Sequence, residues 1–172
     1  HRSYTIPEHY AKTQIRRTGA LDLTIRSFAS IKVLSKWKDH PEKPTVVGGL
    51  EMQLAQYLSG RWAMTAGAEF IHDGYQKERI KRRGWPYDPH RLGLLYGAEM
   101  QMGRFHFSPK AGFYVLLPQN VNKRFYQRYD LSYKLNKHIQ AGVFMHAHFH
   151  VAQFMGFSAS FRLPRLYVPE QS

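Results

Sequence analysis

At 172 residues the chain has the length of one domain, enough for a single core or a small closed barrel. Lys and Arg outnumber Asp and Glu by 25 to 12, a formal charge of +13 that points to anionic neighbours: nucleic acid, acidic lipid headgroups or a lipopolysaccharide surface. The absence of Cys excludes disulfides and thiolate metal sites, and no apolar run nears the roughly 18 to 20 residues of a membrane-spanning helix; the longest, AGFYVLLP, is less than half that.

Residues 1–18 are a polar lead-in with no apolar heart, and the first residue is not Met, so the expectation is a mature polypeptide whose leader has been removed. From there the hydrophobic pattern has a period of two, which places alternate side chains on opposite faces of a strand. LDLTIRSF sets Leu21, Leu23 and Ile25 against Asp22, Thr24 and Arg26. VVGGLEMQLAQYL sets Val46, Leu50, Met52 and Leu54 against Glu51, Gln53 and Tyr57, and WAMTAGAEF sets Trp62, Met64 and Phe70 against Thr65, Gly67 and Glu69. LGLLYGAEMQM, FHFSPKAGFYVLL and RFYQRYDLSYKL continue the alternation, with Glu99, then Lys110, then Arg128, Asp130 and Lys134 on the polar side. HIQAGVFMHAH and VAQFMGFSASFRL, which carries Arg162, make eight strands. Each is close to the roughly 9 to 11 residues that a tilted strand needs to cross a bilayer.

A soluble barrel would bury the apolar faces and solvate the charged ones. Here the polar faces are rich in Gly and mixed-sign charge, whereas the apolar faces carry large aliphatic and aromatic side chains. Turned inside out, this is an all-β, eight-stranded, antiparallel, up-and-down membrane barrel. Its bore would hold a charge network of Asp22, Arg26, Glu51, Glu69, Glu99, Lys110, Arg128, Asp130, Lys134 and Arg162. A bore so narrow is filled by side chains, and no open pore is expected.

Connections support this architecture. Tight turns at 59–61, 103–104 and 135–137 alternate with longer links at about 29–44, 73–91, 117–122 and 147–151. Short periplasmic turns and long outer loops are the habit of bacterial outer-membrane barrels. The expected organisation is therefore a periplasmic lead-in (1–18), a barrel (19–163) and a periplasmic tail (164–172). Trp62, Phe105, Phe107 and Tyr133, beside the tight turns, would form an interfacial girdle.

The link GYQKERIKRRGWPYDPHR is expected to be an outer loop presenting Lys77, Arg79, Lys81, Arg82, Arg83 and Arg91 to lipopolysaccharide phosphates, or else a plain solvated loop. Nucleic acid is not the expected partner, because the basic residues do not coincide with a row of stacking aromatics. In AGVFMHAHFHVAQFMGF, His146, His148 and His150 share one strand face. Cα atoms four residues apart on a strand are about 13 Å apart, so at most two of these histidines could meet one ion. His146 and His148 are the candidate metal pair; polar lining, with no metal or other cofactor, is the expectation.

The blocks FSPKAGFYVLLP and RFYQRYDLSYKLNKHIQAGVFMHAHFHVAQFMGFSASFRL resemble the lipid A 3-O-deacylase-like (acyloxyacyl hydrolase-like) barrels of Bacteroidota-type bacteria, over roughly residues 45–163. The resemblance implies an outer-membrane barrel. True deacylases of this kind carry a His, a Ser two residues later and a downstream Glu, and hydrolyse an ester of lipid A. By resemblance His148 stands at the base position. His150 stands where Ser is expected, Gln153 and Gly156 stand where an acid is expected, and no acidic residue occurs from Leu131 to Pro169. A His without nucleophile and orienting acid cannot run such a triad. The expectation is a non-catalytic outer-membrane barrel, either an accessory subunit in a hetero-complex with other outer-membrane proteins or a lipopolysaccharide-interacting barrel. The alternative is a lipid A deacylase using His148 with Ser158, or with a metal-bound water on His146 and His148.

Overall fold

The structure, a computed structural model, describes residues 18–36, 40–117, 124–149 and 151–167, with backbone alone for 164–167. Most of the lead-in, the last five residues and His150 lie outside the described residues. Eight strands form: β1 (Leu21–Leu34), β2 (Lys43–Tyr57), β3 (Trp62–Asp73), β4 (His90–Met102), β5 (Phe105–Leu116), β6 (Phe125–Lys134), β7 (Ile139–His148) and β8 (Val151–Tyr167). Each pairs antiparallel with its chain neighbours, and β8 pairs with β1 to close the barrel. Closure leaves no sheet edge, so every strand finds backbone partners on both sides.

The faces are inverted relative to a soluble protein. Leu50, Leu94, Met155 and Phe157 point outward and are 54–77% exposed, while Arg26, Glu51, Glu69 and Arg128 point inward and are at most 1% exposed. A continuous apolar wall around a charged interior is what a hydrocarbon surround requires. Of the ten residues predicted for the bore, nine are buried there; Lys134, at the turn end of β6, is half-buried. Trp62, Phe105 and Tyr133 face outward beside the tight turns, and Phe105 packs edge-on against Tyr133 at 5.1 Å.

The turn end is built from local chemistry. Ser59 Oγ accepts from Trp62 N at 3.2 Å, and Asn136 Oδ1 accepts from His138 N and Ile139 N at 2.8 Å each. Gly103 supplies φ 64° in the two-residue turn between β4 and β5.

At the loop end three features depart from the sequence reading. β1 runs to Leu34, so the first link is only 35–42. The second link contains a helix, α1 (Gly74–Arg83), capped by the Asp73 carboxylate accepting from Gln76 N at 3.0 Å and stopped by Gly84 at φ 66°. The fourth link is no long loop: only two residues separate β7 from β8, and the first of them, Phe149, adopts φ 52°. At the opposite end β8 continues past 163 to Tyr167, because a register shift between Leu21 and Leu23 lets the ladder absorb Pro164, which cannot donate to it.

Candidate functional site

The bore is stacked in layers. Nearest the turns, Arg162 grips Glu99 through two hydrogen bonds (2.5 and 2.8 Å), donates to Tyr57 Oη at 3.0 Å and to Thr24 Oγ1 at 3.1 Å, while His106 Nδ1 lies 2.9 Å from Glu99 Oε1. Midway, Arg26, Lys110 and Arg128 interleave with Glu51, Glu69 and Asp130. Arg26 meets Glu51 at 2.7 Å, Lys110 meets Glu51 and Asp130, and Arg128 meets Glu69 at 2.5 Å, Asp130 at 3.0 Å and Glu51 at 3.2 Å. Above them Phe28, Val47, Ile71, Leu95, Tyr114, Tyr126, Phe144 and Phe154 form an apolar plug. Tyr126 lies flat on the wall where Gly93 and Gly112 leave room; a Cβ at either would collide with its ring or hydroxyl. Asp73 and Arg91 pair above the plug.

Among the described residues six buried carboxylates (Asp22, Glu51, Glu69, Asp73, Glu99, Asp130) face five buried cations (Arg26, Arg91, Lys110, Arg128, Arg162). The bore is thus close to neutral, and the +13 surplus belongs elsewhere. In a dry interior, charges persist only when paired and hydrogen-bonded, which accounts for the near-equal count.

The histidines sit at the loop end of β7. His146 Nε2 lies 3.3 Å from Glu69 Oε1 and 3.4 Å from Tyr114 Oη, and its ring stacks between Tyr126 (4.4 Å) and Phe154 (4.8 Å). An acid does therefore reach a histidine of this cluster. Glu69 comes from β3 across the bore, where a search along the neighbouring sequence does not look. His148, 5% exposed, points Nδ1 at the Phe125 carbonyl at 2.7 Å. The two rings are 6.2 Å apart at 69° and turn to different partners. Among the described residues no group of three or more His, Asp or Glu is placed to hold a metal ion.

Ser158 does not approach His148. His148 pairs with Val151, seven residues up β8 from Ser158, a separation of about 23 Å at strand rise. Ser158 is buried instead, and pairs with Gly142 on one side and Phe28 on the other. A register shift between His146 and Ala147 bulges β8 at this level, where Gln153 Oε1 accepts from Arg91 Nη1 at 3.4 Å.

The basic outer set divides. Arg91 is not a loop residue: it is 2% exposed, inside the bore, paired with Asp73 and donating to Tyr114 Oη at 3.4 Å. Arg82 serves as an anchor, bonded to Glu78 (3.3 Å) and to the Pro41 carbonyl (2.8 Å), so that α1 is strapped to the 35–42 link; Lys43 adds a 2.8 Å bond to Glu78. The hydrogen bond from Lys43, with that from Arg82 behind it, holds the Glu78 carboxyl below the ordinary carboxylate range. Lys77 and Lys81 are exposed. Arg79, Arg82 and Arg83, with Lys36, Leu34 and Tyr75, line a cleft of about 330 Å³ between α1 and the end of β1. α1 has no acid in its first turn and three basic residues in its last. Sequence reasoning missed the helix although both caps and its helix-forming residues are legible in DGYQKERIKRRG.

The sequence profile of the family described as acyloxyacyl hydrolase, C-terminal domain, matches residues 21–165, nearly the whole barrel. No curated protein matches the chain. The closed eight-stranded barrel with its apolar wall fits an outer-membrane location. With the profile covering more than four-fifths of its length, the chain belongs to the acyloxyacyl hydrolase C-terminal-domain family.

Proposed function

We propose that the chain is a non-hydrolytic outer-membrane barrel that holds the phosphorylated head of lipopolysaccharide at its outer rim, in the cleft under α1. The observation that carries this reading is the juxtaposition of Lys36, Arg79 and Arg83 with Leu34 and Tyr75 in one cleft at the mouth of the bore, where Tyr75 packs on the apolar plug. An anionic glycolipid needs that pairing: cations for phosphate and an apolar edge for the first acyl carbons. The family description, acyloxyacyl hydrolase, names an acylated ligand, which supports a lipid at this rim. Against retained hydrolysis stand the His at 150 and the distance of Ser158 from His148. The His148 ring instead neighbours the rings of Tyr114 and Tyr126, with centroids 6.1 and 6.3 Å away.

Two measurements test the proposal. Lipid A from cells with and without the protein should have the same acyl pattern by mass spectrometry, whereas loss of one acyl chain that depends on His148 would establish the deacylase reading instead. The purified barrel in detergent should retain lipopolysaccharide and lose it about tenfold on Arg79→Gln/Arg83→Gln. Equal retention of dephosphorylated lipopolysaccharide would overturn the phosphate contact.

A further inference from the structure

A second polar group lies on the outside of the barrel, on the opposite face of the wall from the bore. His72 near the end of β3 and His90 at the start of β4 are directly opposite each other in the ladder, both on the outward face. Their Nδ1 atoms are 3.3 Å apart, with ring centroids at 4.8 Å and planes at 45°. At this separation the two nitrogens are within reach of a shared hydrogen bond. It is also the natural separation for two imidazole nitrogens on one tetrahedral ion: bonds of about 2.0–2.1 Å at a tetrahedral angle put the nitrogens about 3.3 Å apart.

We propose that His72 and His90 form a two-histidine seat for a divalent transition-metal cation of the Zn²⁺ class, with its remaining coordination positions open to oxygen ligands from outside the chain. Three further observations support the assignment. The backbone ladder fixes both Cα positions, so the two-nitrogen bite is preorganised by strand pairing. The other ring nitrogen of His90, Nε2, lies 3.7 Å from Asp88 Oδ1, while Asp88 is itself held by accepting from His90 N at 2.9 Å. At this distance the carboxylate is a neighbouring negative charge and not a hydrogen-bond partner, and a negative charge beside the seat favours a bound cation. His90 also stacks on Phe70 at 5.2 Å and 22°, which restricts its ring orientation.

Access is provided. The His90 side chain is 42% exposed, and beside it lies a cavity of about 330 Å³ lined by Phe70, Pro86, Tyr87, Leu92 and Leu116. An ion held by two protein nitrogens keeps two positions for water or an anionic oxygen, and Asp88 and Arg91 join the apolar side chains that line the cavity beside them. Imidazole selects zinc-like ions over Mg²⁺ and Ca²⁺, which take oxygen donors. This site is independent of the lipopolysaccharide reading and stands or falls without it.

The test uses the full chain folded in detergent, stripped with a chelator and titrated with ZnCl₂ against a chromophoric competitor. The wild-type barrel should bind one more Zn²⁺ than His72→Gln/His90→Gln, and each single substitution should weaken that site at least tenfold. Asp88→Asn should weaken it by about tenfold or less, and MgCl₂ should not compete. Folding of each variant is checked by heat-modifiable gel migration. Should the double variant not fold, the wild type alone decides: Zn²⁺ must shift the ¹⁵Nδ1 resonances of two histidines together. Zn²⁺ binding unchanged in the double variant, or no paired Nδ1 shift in the wild type, overturns the proposal and leaves a neutral hydrogen-bonded pair.

Discussion

Arg128 is the residue on which the middle layer of the bore depends. Its guanidinium meets Glu69 at 2.5 Å, Asp130 at 3.0 Å and Glu51 at 3.2 Å, with Phe28 and Phe144 4.3 and 5.0 Å from it. In Arg128→Met, Glu51 and Asp130 keep Arg26 and Lys110, but Glu69 is left with no Arg or Lys partner among the described residues. Stranding one buried charge in this way costs about 3–5 kcal/mol. Neutralising the stranded acid in Arg128→Met/Glu69→Gln should return about 1–3 kcal/mol of that loss, the coupling expected for direct neighbours. The assay is guanidinium unfolding of the barrel in lipid vesicles, followed by tryptophan emission. A single variant within about 1 kcal/mol of wild type, or a double variant no more stable than Arg128→Met, would refute the account of the bore as a mutually dependent charge lattice.

Substitutions at four other positions and one pH response follow from the structure. Leu50→Arg, mid-strand on the wall, should cost about 2–4 kcal/mol in the same unfolding assay, against about 0–1 for Leu163→Arg near the turn end. Gly112→Ala should push the Tyr126 ring off its stack with His146, read as a changed near-ultraviolet dichroism and a loss of about 1–3 kcal/mol. Asp73→Ala should abolish amide protection at Gln76 by removing the helix cap, whereas Asp73→Asn should keep that protection while weakening the grip on Arg91. Because the folded state holds the Glu78 carboxyl below its ordinary value, the strap of α1 is complete at neutral pH. It should loosen as pH falls through that lowered value, seen as faster hydrogen exchange across residues 74–83.

The strands and their two faces were legible because period-two alternation is a local signal and the charged side chains from Asp22 to Arg162 keep to one face of each strand. What the sequence hid was everything that depends on register or on an unusual turn. Glu69 and His146 are 77 positions apart, and only closure of the ring brings them to 3.3 Å. Arg91 reads as the last residue of a basic loop, yet it is one position into β4 on the inward face. The two-residue link from β7 to β8 lacks the Asn-Gly or Asp-Gly pair that announces tight hairpin turns, and Phe149 takes the left-handed conformation itself. His72 and His90 carry no motif at all; their opposition exists only in the ladder.

The unequal lengths of the links shape the crown of the barrel. Eight residues join β1 to β2 and another eight join β5 to β6, sixteen join β3 to β4, and two join β7 to β8. One flank therefore stands as a parapet while the opposite flank ends in a doorstep level with Phe149, which is 63% exposed. The rim is therefore uneven, built up by α1 after β3 and lowest where β7 gives way to β8.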